Sequence, residues 1–199
     1  RAYVAGLGFF EMKINGQLPD DSVLNPANTQ YTQTVLYRTF DVTNLLKEGN
    51  NAIGVELGNS FYNETCSVWN WQDAAWRDDP KLRMELDIEY TDGTHQTIAT
   101  DNESWKATKD GPITTNSIYY GETYDARKEL TGYDQANYNE EDWAPAQEME
   151  APTGELTAQV MEPIRRTKSI TLSQDQVKKL DNGSYVLYVP EMLAGWIKL

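Results

Sequence analysis

The sequence predicts an all-β protein, because short alternating runs recur along the chain while helical periodicity is nearly absent. The clearest unit spans residues 35–63, where a strand, a helical turn and a return strand follow one another. Its first strand carries bulky side chains on both faces, which indicates a central position in a sheet. Asp41 or Thr43 can cap the helical turn, and Gly49 can end it with a positive φ. The unit therefore needs further strands on both sides to bury its apolar residues.

The other strands are predicted from the same alternation. Residues 82–90 alternate apolar with charged side chains, so one face of that strand should meet the core and the other face water. The pairs Asn15-Gly16 and Asp92-Gly93 predict turns, and residues 6–8 are expected to kink the first strand. The remaining predicted strands are residues 3–5, 8–15 and 95–100, a short strand carrying Trp105, and residues 185–189.

The composition excludes several classes of function. Lysine plus arginine number 17 and aspartate plus glutamate number 31, which gives a net charge of −14. A chain this acidic repels phosphate backbones and anionic membranes, so nucleic acid and lipid surfaces are excluded as partners, while neutral ligands and cations remain. Cys66 is the single cysteine and His95 the single histidine. They argue against internal disulfides, thiolate clusters, catalytic triads and multi-histidine zinc sites. We also find no apolar run long enough to span a bilayer.

Several stretches in a fixed order carry a family resemblance: residues 7–11 with Asn15-Gly16, then 23–26, 35–43, 57–63, 121–127, 159–165 and 194–196. In this order and spacing they resemble the N-terminal β-sandwich region of bacterial α-L-rhamnosidases. The most specific stretch is the heptapeptide Gly-Glu-Thr-Tyr-Asp-Ala-Arg at residues 121–127. The resemblance implies an antiparallel jelly-roll β-sandwich, similar to galactose-binding domains, over residues 1–165. Residues 166–199 would be the truncated start of the following β domain, and we expect residues 169–199 to pair as strands with the sandwich or with a second copy.

The resemblance also implies a function for the parent protein. In that family a downstream (α/α) barrel hydrolyses terminal α-L-rhamnose with inversion, using two well-separated carboxyl groups. Neither carboxyl group is expected in this chain, which would orient the barrel and wall its substrate cleft. Its partners would be the catalytic barrel of the parent chain and rhamnose-containing glycans. A calcium-dependent L-rhamnose-binding module is the alternative, and an enzyme in its own right is a third hypothesis.

The heptapeptide holds four candidate ligand-binding residues: Glu122, Tyr124, Asp125 and Arg127. Asp125 and Arg127 lie two positions apart, so on a strand they would share a face and could form a salt bridge. Glu122 and Asp125 would make an odd acid/base pair, because they would face opposite sides of that strand. We therefore predict a structural salt bridge or a contact to the barrel here, and no catalytic residue.

A calcium site is implied at the acidic loop, which we define as residues 20–22. Some rhamnosidases carry a related sandwich that binds L-rhamnose through calcium, with an acidic loop and a later main-chain carbonyl as ligands. By this resemblance Asp21, and less directly Asp20, would bind the metal, together with the carbonyl of Pro80. Sugar hydroxyls could complete the coordination of calcium. Ser22 and Asn25 stand where other ligands are expected; Asn25 is retained as a candidate sugar-binding residue, and a plain turn is the alternative.

The loop at residues 59–79 carries three tryptophans, Trp69, Trp71 and Trp76. Aromatic faces stack on the C–H surfaces of pyranose rings, so Trp69 and Trp71, with Trp76, could form a sugar platform. The same loop could equally be buried against the catalytic domain. The sequence leaves these two interpretations open.

Overall fold

The computed structural model describes residues 1–197, without the side chains of residues 68, 71 and 72, and within that part the regular secondary structure is almost entirely β. The all-β prediction is confirmed. Short 3-10 turns at Thr43–Leu45, Val68–Asp73, Ala126–Lys128 and Gln174–Gln176 supply the helical residues. Over the residues described, no helix is both long and apolar enough to cross a membrane. The strands are β1 (Ala2–Leu7), β2 (Phe9–Ile14), β3 (Ser22–Val23), β4 (Thr34–Phe40), β5 (Ile53–Gly58), β6 (Lys81–Glu89), β7 (His95–Ala99), β8 (Lys106–Ala107), β9 (Ile113–Ser117), β10 (Gly121–Tyr124), β11 (Ala144–Pro145), β12 (Glu155–Ala158), β13 (Ile164–Arg165), β14 (Val177–Lys179) and β15 (Tyr185–Leu187).

The larger sheet has the strand order β12-β4-β1-β6-β7. β4 is paired on both sides, with β1 and with β12, which confirms its predicted central position. β12 runs parallel to β4, with Glu155 opposite Thr34 and Ala158 opposite Tyr37, whereas the other ladders are antiparallel. The predicted antiparallel sandwich is confirmed, and the parallel pair of β4 and β12 adds an edge that the sequence did not predict. A parallel neighbour requires a long connection, and more than a hundred residues separate β4 from β12.

A second layer packs against one face of the larger sheet. It consists of β2 and β5, paired from Phe9 opposite Gly58 to Ile14 opposite Ile53, and Asn25 extends it by accepting a hydrogen bond from the Phe10 N–H (2.7 Å). The main core lies between the two layers. Its buried side chains are Ala2, Val4, Phe40, Val42, Met84 and Leu86 on one side and Phe10, Met12 and Ile14 on the other. This arrangement is a two-layer sandwich; its jelly-roll connectivity stays a prediction.

The other face of the larger sheet is covered as well. Ala5, Leu7 and Val35 point to this side and pack with Tyr31 and Tyr62 in a second buried cluster, against which Tyr37 and Trp76 are partly buried. β1 is therefore buried on both faces, which explains why it reads as a nearly continuous apolar run. The loops that supply the second cluster also carry the candidate site.

The chain divides into two compact units, Arg1–Arg165 and a second that begins at Arg166. In the second unit β14 and β15 form a hairpin, with Val177 opposite Leu187, and Gly183 turns the chain between them with φ 86°. We expected this segment to pair as strands with the sandwich or with a second copy; within it β14 and β15 pair with each other, and pairing with a further partner stays a prediction. A tight turn brings nearby residues together at little entropic cost, which explains the local pairing. That a further β domain begins here stays a prediction.

Candidate functional site

Two distant stretches of the chain meet beside the end of β5. β9 and β10 form a hairpin in which Gly121 lies opposite Ser117. Asn59 follows β5 and donates its backbone N–H to Asn116 Oδ1 (2.9 Å) and its side-chain amide to the Asn116 carbonyl (2.9 Å). These two hydrogen bonds from Asn59 tie the β9–β10 hairpin to the loop that starts at residue 59.

Glu64 lies at this junction and is fully buried. Its Oε1 accepts hydrogen bonds from the N–H groups of Thr65 (2.8 Å) and Cys66 (2.9 Å) and from the Ser117 hydroxyl (2.7 Å). Its Oε2 accepts from the N–H of Ile118 (2.9 Å). Burial by itself raises the pKa of this carboxyl, but the hydrogen bonds from Ser117 and the backbone outweigh it, and the pKa lies below its usual value. Glu64 is therefore held as an anion that joins the loop to the hairpin.

The turn between β9 and β10 forms the hairpin tip, which we define as Ile118, Tyr119 and Tyr120. The Ser117 hydroxyl accepts hydrogen bonds from the N–H groups of Tyr119 (3.1 Å) and Tyr120 (3.0 Å). The side chains of the tip are 44, 42 and 68% exposed, in chain order. Tyr119 meets Phe61 edge to face, with 6.3 Å between ring centroids. Hydrogen bonds from its backbone N–H groups to Ser117 and Glu64 thus hold this exposed turn in place.

The predicted pair in the heptapeptide is present, but in a different local geometry. β10 ends at Tyr124, so Asp125 is not a strand residue; it caps the 3-10 turn Ala126–Lys128. Asp125 accepts hydrogen bonds from the Arg127 backbone N–H (3.1 Å), Nε (2.8 Å) and Nη2 (2.6 Å). These bonds from Arg127 hold the pKa of Asp125 below its usual value. The cap, and not a shared strand face, brings the two side chains together.

The other two heptapeptide candidates, Glu122 and Tyr124, are exposed. Tyr124 donates its hydroxyl proton to Glu129 Oε1 (2.6 Å), and this hydrogen bond raises the pKa of Tyr124. Glu122 lies on β10 opposite Asn116. Both side chains are accessible, and their role in ligand binding stays a prediction.

An open depression of about 530 Å³ shares Phe61 with the contacts of the hairpin tip. Tyr31 lines it, is buried, and packs edge to face on Tyr62, with 5.0 Å between centroids. Burial, with a smaller contribution from Tyr62, raises the pKa of Tyr31 to about 12, and its hydroxyl donates to Asn28 Oδ1 (3.2 Å). The lining residues are Asn28, Thr29, Gln30, Tyr31, Phe61 and Trp76.

The three predicted platform tryptophans differ in their surroundings. Trp76 is half-buried against Tyr31, with 6.0 Å between ring centroids. Trp69 is 77% exposed, and its backbone has a positive φ of 64°. The side chain of Trp71 lies outside the described residues. A sugar platform at this loop stays a prediction.

The acidic loop is neutralised by two arginines. Asp20 accepts hydrogen bonds from the Ser22 N–H (3.0 Å) and from Arg38 Nη2 (3.0 Å), and Arg165 Nη2 lies 3.9 Å from its carboxylate. Arg165 also forms an ion pair with Asp21 through Nη1. β13 positions Arg165 because it pairs with β3, which places Arg165 opposite Ser22. A cation bound at these carboxylates would compete with the two guanidinium groups.

Two predicted ligands remain. Asn25 is close to the acidic loop in the sequence, and Pro80 is not. Asn25 is buried, donates its side-chain amide to the Ser22 hydroxyl (2.9 Å), and uses its carbonyl in the bridge to β2. Pro80 is half-buried and directly precedes β6. Within the described part of the chain, no group of three or more His, Cys, Asp or Glu side chains is placed to hold a metal ion. The calcium assignment to Asp20, Asp21 and Pro80 stays a prediction.

Sequence reasoning missed the most heavily bonded residues of this region. Glu64, Asn59 and Asn116 carry the junction, yet none of them lies in a local pattern that signals a buried contact. One signal pointed towards it, since residues 57–63 and the heptapeptide both belong to the family resemblance. The contact between Asn59 and Asn116 spans 57 residues of chain and is visible only in the folded structure.

Comparison with known proteins gives consistent matches. The family model described as "Alpha-L-rhamnosidase N-terminal domain" matches residues 1–168. An α-L-rhamnosidase from Formosa agariphila is 35% identical over 203 residues, which cover 100% of this chain and 21% of that protein. An α-L-rhamnosidase from Streptomyces avermitilis is 31% identical and is covered to 19% of its length. The chain thus spans about a fifth of the length of the curated relatives that it matches.

Solved structures agree with this match. The α-L-rhamnosidase of Dictyoglumus thermophilum superposes with a TM-score of 0.81 at 39% identity, over 92% of this chain and 19% of that chain. The Streptomyces avermitilis α-L-rhamnosidase, solved in complex with L-rhamnose, gives a TM-score of 0.77 at 32% identity over 84% of this chain and 16% of that chain.

Proposed function

Because the chain belongs to the α-L-rhamnosidase N-terminal domain family, we propose that it is the non-catalytic N-terminal part of an α-L-rhamnosidase. The parent protein hydrolyses terminal α-L-rhamnose from glycans, and its catalytic domain lies outside these 199 residues. This chain orients that domain and forms one wall of its substrate cleft. The relatives support the assignment, since each is named an α-L-rhamnosidase and each is about five times as long as this chain.

The non-catalytic role is supported by the accessibility and the hydrogen bonding of the carboxylates around the site. Inverting hydrolysis needs a carboxylic acid on one side of the scissile bond and a carboxylate on the other, with room for water. In the described residues around the site, Glu64 is inaccessible and Asp125 is bound to Arg127. Glu56, Glu122 and Glu129 remain accessible, but none of them lines the depression, and Glu129 is hydrogen-bonded to the Tyr124 hydroxyl. The arrangement therefore supports a scaffold better than an active site.

An assay with an aryl α-L-rhamnoside tests this proposal. We expect the 199-residue chain to release no detectable aglycone, while the full-length parent hydrolyses the same substrate. The Glu122→Gln variant of the short chain serves as the control for contaminating activity. Reproducible turnover by the short chain that Glu122→Gln abolishes would overturn the proposal.

A further inference from the structure

The hairpin tip is an exposed apolar surface in a strongly acidic protein. Ile118, Tyr119 and Tyr120 are consecutive and 44, 42 and 68% exposed. Single exposed apolar residues are ordinary, but adjoining ones form a patch that calls for an explanation. Residues 117–121 carry no charge, although the net charge of the chain is −14.

The hairpin tip is held in one shape by hydrogen bonds that involve a buried carboxylate. Burying a carboxylate without a cation is unfavourable by several kcal/mol unless hydrogen bonds replace its hydration. Glu64 meets this requirement by accepting from the Ser117 hydroxyl and from the N–H of Ile118. The Ser117 hydroxyl in turn accepts from the N–H groups of Tyr119 and Tyr120. These hydrogen bonds hold the turn in a defined shape while its three side chains stay exposed.

The chemistry of the tip fits a protein surface. Sites for small sugars are concave and bring several polar groups together. The tip is the exposed connection of a hairpin, and its polar side-chain groups are two tyrosine hydroxyls. Tyrosine and apolar residues are enriched at the centres of protein interfaces, where charged residues are depleted. An ordered, exposed and uncharged turn of this kind fits the surface of another domain.

We propose that the hairpin tip docks onto the remainder of the parent protein, outside these 199 residues. The inference rests on the proposed function. We select this occupant because about four-fifths of the length of the matched relatives lies outside the region matched here. A domain on the same chain is present at high effective concentration, so a small patch suffices for docking. Phe61 extends the surface, because it packs on Tyr119 and also lines the neighbouring depression.

Hydroxyl-radical footprinting of the full-length parent tests the docking. Tyr90 provides the internal control, because it is 45% exposed on a different hairpin. We expect Tyr119 and Tyr120 to be labelled at least about tenfold more slowly than Tyr90, since the centre of an interface excludes solvent. In the full-length double variant Ile118→Ser/Tyr120→Ser, the labelling of Tyr119 should rise towards that of Tyr90. The matched variant Tyr90→Ser should leave Tyr119 protected.

The outcomes separate this inference from the proposed function. Equal labelling of Tyr119, Tyr120 and Tyr90 in a full-length protein that hydrolyses rhamnosides would overturn the docking and leave the proposed function intact. Protection that appears only after L-rhamnose is added would identify a glycan as the occupant. Protection that grows with protein concentration would identify a second copy. Either of these results also overturns the inference.

Discussion

Glu64 shows how much a single buried side chain can organise. It links the loop at residues 64–66 to the hairpin, because its two oxygens accept hydrogen bonds from Thr65, Cys66, Ser117 and Ile118. Its main-chain carbonyl also accepts from Arg77 Nε (3.1 Å). Hydrogen bonds to a charged acceptor are stronger than those to a neutral one. The anion therefore fixes both segments relative to each other.

Replacing Glu64 should destabilise the protein. In Glu64→Gln the amide nitrogen cannot accept a hydrogen bond, so at least one buried donor loses its partner. We expect the free energy of unfolding at neutral pH to fall by about 2 kcal/mol or more. Urea unfolding of both proteins measures this change. Glu122→Gln, at an exposed position, should leave the unfolding curve unchanged, and an equal effect of both substitutions would contradict the role of Glu64.

The same residue predicts a dependence on pH. The pKa of Glu64 in the folded protein lies below its usual value, so folding favours the anion. The stability gained is complete above the unfolded-state pKa of about 4.3 and is lost as the pH falls through the lower pKa of the folded state. We expect the difference in unfolding free energy between the native protein and Glu64→Gln to shrink under acidic conditions. A difference that stays constant from neutral to strongly acidic pH would refute this.

The acidic loop yields a prediction about calcium. If Asp20 and Asp21 bind the ion as the family resemblance implies, calcium must displace Arg165, which is paired with Asp21. Arg165→Gln should then bind calcium more tightly than the native chain, and Asp21→Ala should not bind it. Isothermal titration with calcium, with and without L-rhamnose, measures both effects. Arg127→Gln, which removes a different aspartate–arginine pair, is the control; equal affinity of the native chain and Arg165→Gln would contradict the site.

At the scale of elements, one glycine allows β1 and β2 to join two layers. β1 belongs to the larger sheet and β2 to the second layer, and Gly8 alone separates them. Gly8 has φ 99°, and a Cβ there would lie 2.1 Å from the Gly58 carbonyl oxygen. The predicted kink at residues 6–8 is present for this reason. A side chain at this position is disfavoured by the positive φ and by the close approach of the Gly58 backbone in β5.

Gly8→Ala should therefore cost more than an ordinary glycine substitution. Gly93→Ala is the matched control, because Gly93 has φ 83° and a Cβ added there would meet nothing within 4 Å beyond its own chain neighbours. We expect Gly93→Ala to cost about 1–2 kcal/mol through its backbone conformation alone. Gly8→Ala should cost roughly 1–3 kcal/mol more, because the backbone of Gly58 must move. Thermal unfolding of both variants provides the comparison, and equal losses would show that the close approach to Gly58 is relieved cheaply.

At the scale of the whole molecule, the first unit ends with a strand that returns to its beginning. β13 pairs with β3, and its Arg165 reaches the acidic loop. Gln159, just before it, accepts a hydrogen bond from the N–H of Ala27 (2.9 Å). Residues 159–165 therefore close the first unit, and this gives a physical reason to propose its boundary just after Arg165.

Truncation tests that boundary. We expect residues 1–168 to unfold at the same temperature as the first unit of the full 199-residue chain, because β13 is retained. Residues 1–159 should unfold at a lower temperature, since the pairing of Ile164 with Val23 and the ion pair of Arg165 are lost. Calorimetry of the three chains measures the transitions. If residues 1–168 were as destabilised as residues 1–159, the boundary would lie further along the chain.

Local sequence patterns were sufficient for the features that depend on neighbouring residues. Alternation of side chains predicts strands, because successive residues of a strand face opposite sides. It therefore predicted the all-β class and the central position of β4. The turns at Asn15-Gly16, Gly49 and Gly93 were predicted for a similar reason, since few residue types tolerate a positive φ. The heptapeptide could indicate the α-L-rhamnosidase family from the sequence alone, because its seven residues are contiguous and can be recognised without the fold.

Which distant residues meet depends on the folded chain. β12 pairs in parallel with β4 although the two strands are far apart in the sequence. Glu64 accepts a hydrogen bond from Ser117, 53 residues away, and Arg165 binds Asp21, 144 residues away. Such contacts form where burial removes water and leaves a polar group to find a partner within the fold. No local pattern identifies that partner. The partner is determined by how the layers of the fold pack around the buried group.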